Sequence, residues 1–225
     1  MKRSEINQIL REAKAFLRER SFLLPPWAYW SMQEWRENRD NAEEVISSML
    51  GWDITDFGSG DFRRRGLFLF TIRNGKPGAS NKPYAEKVMI VEENQETPMH
   101  YHWTKMEDII NRGGGNLIIE LYNSTPDNRL DTTDVHFTKD GIKGRVKAGG
   151  KVILLPGESI TLEQGMYHRF YGQPGKGKVL VGEVSSVNDD SADNCFFETI
   201  GRFPTIVEDE APLYLLVNDY STFLS

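Results

Sequence analysis

The stretch "TPMHYHWTKMEDIINRGGG" (Thr97–Gly115) places two of the chain's four histidines one residue apart, with Glu107 five positions past the second. Read as a strand end, Met99–Trp103 sends successive side chains to opposite faces, so His100 and His102 share one face and Met99, Tyr101 and Trp103 the other. Two imidazoles so spaced converge on one ion, and past the short turn of Thr104–Met106 Glu107 returns a carboxylate to it. A fourth ligand is expected from His168, which follows a strand-like run and a Gly-containing turn in "PGESITLEQGMYHRFYG" (Pro156–Gly172). His136, in the polar "DTTDVHFTKDG", reads as a surface residue. Three histidines and a glutamate bind divalent Mn, Fe, Co, Ni, Cu or Zn, and the residue types do not choose among them.

On both sides of this cluster the chain has β texture. "GLFLFTIRNG" (66–75), "EKVMIVEEN" (86–94), "GNLIIELYNS" (115–124), "GKVILLPGESITL" (150–162), "KVLVGEVSS" (178–186) and "PLYLLVND" (212–219) are short apolar runs bounded by Gly, Pro, Asn and Asp. At least six strands are expected. Most neighbours leave no room for a helix between them, which favours an antiparallel sandwich or barrel over a βαβ fold. "NRGGGN" reads as a flexible turn between strands, and "DFGSGDF" as a turn without the lysine and setting of a nucleotide loop.

Residues 1–50 differ. Ile6, Ile9, Leu10, Ala13, Phe16 and Leu17 recur at helical spacing behind Ser4, a candidate cap, and the prolines at 25 and 26 end that helix. A second helix is predicted from Ser31, with Glu34 completing a capping box, through Trp35 and Val45 to about Leu50. The expected organisation is one domain over 1–225, with 1–50 a helical extension packed on the barrel.

Of the 225 residues 39% are hydrophobic, enough for a sizeable core, and the net charge is −6 with Lys and Arg scattered among acids, which argues against nucleic acid as a partner. The lone cysteine, Cys195, has no internal partner, no signal-peptide pattern opens the chain and no apolar run is long enough to span a membrane. A soluble, cytoplasmic protein is expected.

"HYHWTKME" followed by "GGKVILLPGESITLEQGMYH" resembles the two motifs of the cupin superfamily, with His100, His102, Glu107 and His168 on the metal-ligand positions. His168 lies further beyond Pro156 and Gly157 than in the shortest cupin motif. The resemblance implies a mainly β, antiparallel jelly-roll barrel. Over nearly its whole length the chain also resembles the D-lyxose isomerase family, through "LGWDITDFGSGDF", "GLFLFTIRNG", "KPYAEKVMIVEENQETPMHYHWTKMEDIINRGGGNL" and "IGRFPTIVEDEAP". That implies a manganese-dependent aldose–ketose isomerase acting on D-lyxose and D-xylulose, often with D-mannose and D-fructose, in a homodimer; Zn, Co, Ni or Fe are alternative ions.

Such an isomerisation moves a proton between C1 and C2 with no net redox, so it requires a cation beside two oxygens and a carboxylate on one face of an enediolate. Glu198, in the acid-and-aromatic "NCFFETIGRF", is the first choice for that base, and Glu183 in "VLVGEVSS" the second. Lys105, between the ligands, is expected to stabilise charge or shuttle the O1–O2 proton. Tyr84, Trp52, Phe170 and Arg202 are candidate sugar-pocket residues, by stacking or by hydrogen bonding to hydroxyls. The competing readings are a cupin dioxygenase using the same ligands with a redox-active metal, and a non-catalytic sugar-binding cupin.

Overall fold

A computed structural model describes residues 1–78, 82–190, 192–201 and 204–224. Among these, three helices precede the strands, α1 (Arg3–Glu19), α2 (Met32–Asn38) and α3 (Glu43–Ser47), and a one-turn α4 (Tyr220–Phe223) follows them. Thirteen strands are found among the described residues: β1 (Gly51–Thr55), β2 (Leu67–Asn74), β3 (Tyr84–Val91), β4 (His100–His102), β5 (Glu107–Gly114), β6 (Leu117–Asn123), β7 (Val135–Lys139), β8 (Ile142–Val146), β9 (Gly150–Leu154), β10 (Ser159–Leu162), β11 (Met166–Gly172), β12 (Val179–Ser186) and β13 (Asn194–Phe196). They form two antiparallel sheets, ordered β1-β2-β3-β12-β5-β10-β7-β8 and β13-β4-β11-β6-β9. The mainly β, antiparallel architecture with N-terminal helices is the one expected.

Strand alternation builds two cores on the larger sheet. Leu69, Met89, Val91, Val179 and Val181 point inward and pack with Leu117, Ile119, Leu121 and Phe170 of the smaller sheet. Their neighbours Phe68, Phe70, Val88, Ile90 and Leu180 point outward and are covered by Ile6, Ile9, Leu10, Ala13 and Leu17 of α1. Because both faces are buried, these strands read as continuous apolar runs.

Several expectations are corrected. Ser4 does not cap α1: it is already helical, and Asp209 caps from outside, accepting the Ser4 N–H at 2.9 Å and its hydroxyl at 2.7 Å. The Ser31–Glu34 capping box forms, yet the second helix stops at Asn38 and resumes as α3 after a 3-10 turn over Arg39–Ala42. Asn38 donates its side-chain amide to Glu34 O, 2.9 Å, in the last turn before the break, and Asp and Asn compete with helical hydrogen bonds in this way. "PLYLLVND" is no strand. It makes one bridge, Leu216 to Trp52, and enters a 3-10 turn at Val217–Asp219, where Asp219 accepts the Leu216 N–H and salt-bridges buried Arg3.

"NRGGGN" is not a free turn, since β5 runs through Gly114 with a bulge opposite Leu180–Val181. Gly114 has φ +97°, and a Cβ there would meet Lys178 O at 2.2 Å. The β7–β8 hairpin was hidden by its polar composition. Its signal was Asp140-Gly141, both at positive φ as a two-residue hairpin turn demands, with His136 exposed beside it.

Candidate metal centre and active site

Side chains from seven strands, β2, β3, β4, β5, β11, β12 and β13, converge on a cleft between the sheets. His100 and His102 come from β4, and His168 of β11 pairs directly across from His100. One ligand atom from each of the three lies within 4.8 Å of the others. Ligands about 2.1 Å from a shared ion stand about 3–4 Å apart, so the cluster needs little contraction to close on one.

Tautomers are fixed locally. His100 Nδ1 lies 2.9 Å from Pro98 O and His168 Nδ1 2.9 Å from Met166 O. A carbonyl only accepts, so each Nδ1 carries the hydrogen and each Nε2 keeps its lone pair for a metal. His168 Nε2 is buried without a hydrogen-bond partner, as is His102 Nδ1. Glu107 Oε1 stands 3.2 Å from His168 Nε2 but off hydrogen-bond geometry. Burial, then the neighbouring imidazoles, hold His100 well below its ordinary pKa; burial and then Lys105 lower that of His102. The lowered pKa values of His100 and His102 and the orphaned Nε2 of His168 are what a divalent ion requires, so these residues fit one.

Glu107 opens β5, with Oε2 3.5 Å from His102 Nε2, so its carboxylate lies against two of the three histidines. It also begins a chain of buried charges. Lys105 Nζ is 2.6 Å from Glu107 Oε2 and 3.0 Å from Glu183 Oε1, and Lys87 Nζ is 3.1 Å from the same Glu183 oxygen. Asn188 Oδ1 accepts from Lys87 at 2.6 Å and Lys105 at 3.4 Å. Two ammonium groups face two carboxylates, each side chain at most 6% exposed.

Burial alone would neutralise these groups. For Lys105, burial is the largest influence and lowers the pKa, but Glu107 and Glu183 outweigh it and the net shift is upward. For Glu183, burial raises the pKa, and Lys105 with Lys87 overcome it to leave the carboxyl below its ordinary value. Glu107 is likewise raised by burial and brought well below by Lys105 and His102.

Of the residues singled out in the sequence, His100, His102, His168, Glu107, Lys105, Glu183 and Phe170 meet at this cleft. Glu198 does not line it: 57% exposed, its carboxylate accepts from Arg65 at 2.8 Å. Trp52, 1% exposed, is core between α1 and the outer sheet face, and its indole N–H donates to Ala28 O at 2.6 Å. Tyr84 is exposed at the start of β3. Arg202 lies outside the described residues.

Lys87 escaped the sequence reading. Its signal was a charge inside "EKVMIV", in register with inward Met89 and Val91. Asn194 and Phe196 line the cleft because β13 pairs with β4, Asn194 opposite His102 and Phe196 opposite His100. No local pattern marked that pairing.

The model of the D-lyxose isomerase family matches residues 1–220. A D-lyxose/D-mannose isomerase of Serratia proteamaculans is 49% identical over 228 residues, covering 100% of both chains. The enzyme of that name from Escherichia coli O157:H7 is 47% identical, covering 99% of this chain and 100% of its own. Among solved structures, the L-ribose isomerase of Acinetobacter sp. DL28 superimposes with a TM-score of 0.58 at 15% identity, covering 88% of this chain and 93% of its own, a likeness of fold. A match that runs from the helices through both sheets takes in every strand that supplies the histidines, and on that ground the chain belongs to the D-lyxose isomerase family.

Proposed function

We propose that the protein is an aldose–ketose isomerase converting D-lyxose to D-xylulose, with D-mannose and D-fructose as a second pair. The observation that carries this reading is one cleft in which three histidines face the Lys105–Glu183 pair, in a chain of this family. His100, His102 and His168 would hold a divalent ion, with Glu107 as the fourth ligand. When bound, that ion supplies Lewis-acid polarisation of the carbonyl and charge stabilisation at O1 and O2.

The chain's own groups move the protons. Glu183, kept ionised by Lys105 and Lys87, accepts the proton from one carbon and returns it to its neighbour on the same face of a cis-enediol. Lys105 donates to the substrate oxygens and carries the proton between O1 and O2. Phe170 offers a ring to the sugar's C–H surface. Glu183 takes precedence over Glu198 because it is buried in the cleft, whereas Glu198 is committed to Arg65.

Manganese as the ion and a homodimer belong to the same reading through the family resemblance, and a cytoplasmic location through the missing signal-peptide pattern; no helix among the described residues is long and apolar enough to cross a membrane. So does one domain over 1–225, which the packing of α1 on the outer sheet face supports. Family membership leaves the dioxygenase and non-catalytic readings without support. The test is an assay of EDTA-stripped protein with D-lyxose and D-mannose, with and without added Mn²⁺. Manganese-dependent D-xylulose and D-fructose are expected, and no ketose with any divalent ion would overturn the reading.

A further inference from the structure

His102 ends β4 and Glu107 opens β5, and the four residues between them, Trp103–Met106, carry the buried ammonium yet have no regular structure. Three of their backbone amides are fixed by one residue across the cleft wall. Asp193, 6% exposed and immediately before β13, places Oδ1 2.7 Å from both the Thr104 N–H and the Thr104 hydroxyl, and Oδ2 3.0 Å from the Lys105 N–H. Its backbone carbonyl accepts the Trp103 N–H at 3.1 Å. Three consecutive amides of the loop therefore converge on one residue, which is how a backbone concavity holds an anion.

The same carboxylate is aimed at the metal centre. Oδ2 lies 4.0 Å from His102 Nδ1, the buried nitrogen without a hydrogen-bond partner, about one ångström beyond hydrogen-bond length. A carboxylate behind a ligating imidazole fixes ring orientation and raises ligand basicity. Elsewhere the loop is held by Gly165 N–H to His102 O, by Gln164 to Thr104 O, and by Ser186, whose Oγ accepts the Met106 N–H at 3.1 Å and whose N–H donates to Met106 O. Asp193 alone reaches its amides at 103, 104 and 105 and also faces His102.

We propose that Asp193 is a positioning residue that sets both the His102 imidazole and the Lys105 ammonium. The inference deepens the metal-dependent isomerase reading and rests on it. Asp193→Asn keeps size and one carbonyl acceptor but turns the second oxygen into a donor facing the Lys105 N–H. In folded protein this variant is expected to bind Mn²⁺ about 10–100-fold more weakly, by competition with a chelating indicator, and to lose kcat by a similar factor. Thr104→Val, at an exposed position, removes one of the hydrogen bonds to the carboxylate and is expected to weaken Mn²⁺ by a smaller factor, which keeps the proposal testable if the first variant does not fold.

A purely structural role would lower the melting temperature and leave the Mn²⁺ affinity of the folded variant unchanged. Affinity and kcat within about twofold of wild type in whichever variants fold would overturn the proposal. Wild-type protein that binds no Mn²⁺ is a separate result, and overturns the metal reading and the role of Asp193 together.

Discussion

The two faces of β2, β3 and β12 are made by alternate residues of the same segments and obey opposite rules. Outward, Phe68, Phe70, Val88, Ile90 and Leu180 meet α1 in an apolar layer. Inward, the apolar residues give way at Lys87 and Glu183, directly paired across β3 and β12, to buried charges balanced only by one another. Each outward side chain contributes stability in proportion to the area it hides. The inward charges cost desolvation and are held ionised by their mutual pairing, which the proposed reaction uses. Stability and chemistry thus occupy opposite sides of one sheet.

The largest expected effect is on the inner face. His168→Ala should remove the bound ion and lower isomerase activity by about three orders of magnitude or more, with far-UV circular dichroism unchanged. Full activity after this change would break the division at its centre. Next, Glu183→Gln should retain Mn²⁺, lower kcat by about 10²–10⁴-fold and abolish solvent deuterium incorporation at C1 and C2, whereas Glu198→Gln should leave turnover within about twofold. The reverse pattern would return the base to Glu198.

On the outer face, Leu10→Ala should cost about 2–5 kcal/mol in denaturant unfolding and leave kcat per folded molecule unchanged. A changed kcat would show that the faces communicate. Trp52→Phe deletes the bond to Ala28 O at a cost of about 1–3 kcal/mol, and because the ring is core, KM for the sugar should not move.

The smallest effect lies outside both faces. Glu208 is held below its ordinary carboxyl pKa of 4.5, first by hydrogen bonds from Arg3. An acid lowered in the folded state contributes stability above its unfolded pKa and loses it as pH falls through the lower folded value. Glu208→Gln should therefore make the acid-side decline of stability below about pH 4.5 shallower, measured by thermal melts across pH.

Much of this was legible locally. The α1 stripe, the Ser31–Glu34 box and most long strands follow from spacing and turn chemistry, and His100 with His102 share a face because strand periodicity is two. What escaped depended on distant partners. Ser4 was a sensible cap until Asp209, 205 residues away, took the position. "PLYLLVND" has strand composition, yet Asp219 bends it to meet Arg3. Trp52 and Phe170 are both aromatic strand residues, and only sheet curvature and layering decide that one faces α1 and the other the cleft.

By itself the sequence determined the candidate ligand types, the common face of His100 and His102 and the β class, because alternation and side-chain chemistry are properties of short segments. Only the tertiary structure decided that Glu183 and not Glu198 meets Lys105, that Lys87 shares its oxygen and that Asp193 grips the loop. Those contacts join strands far apart in the chain. Their strength comes from exclusion of water by both sheets, and no local stretch carries that information.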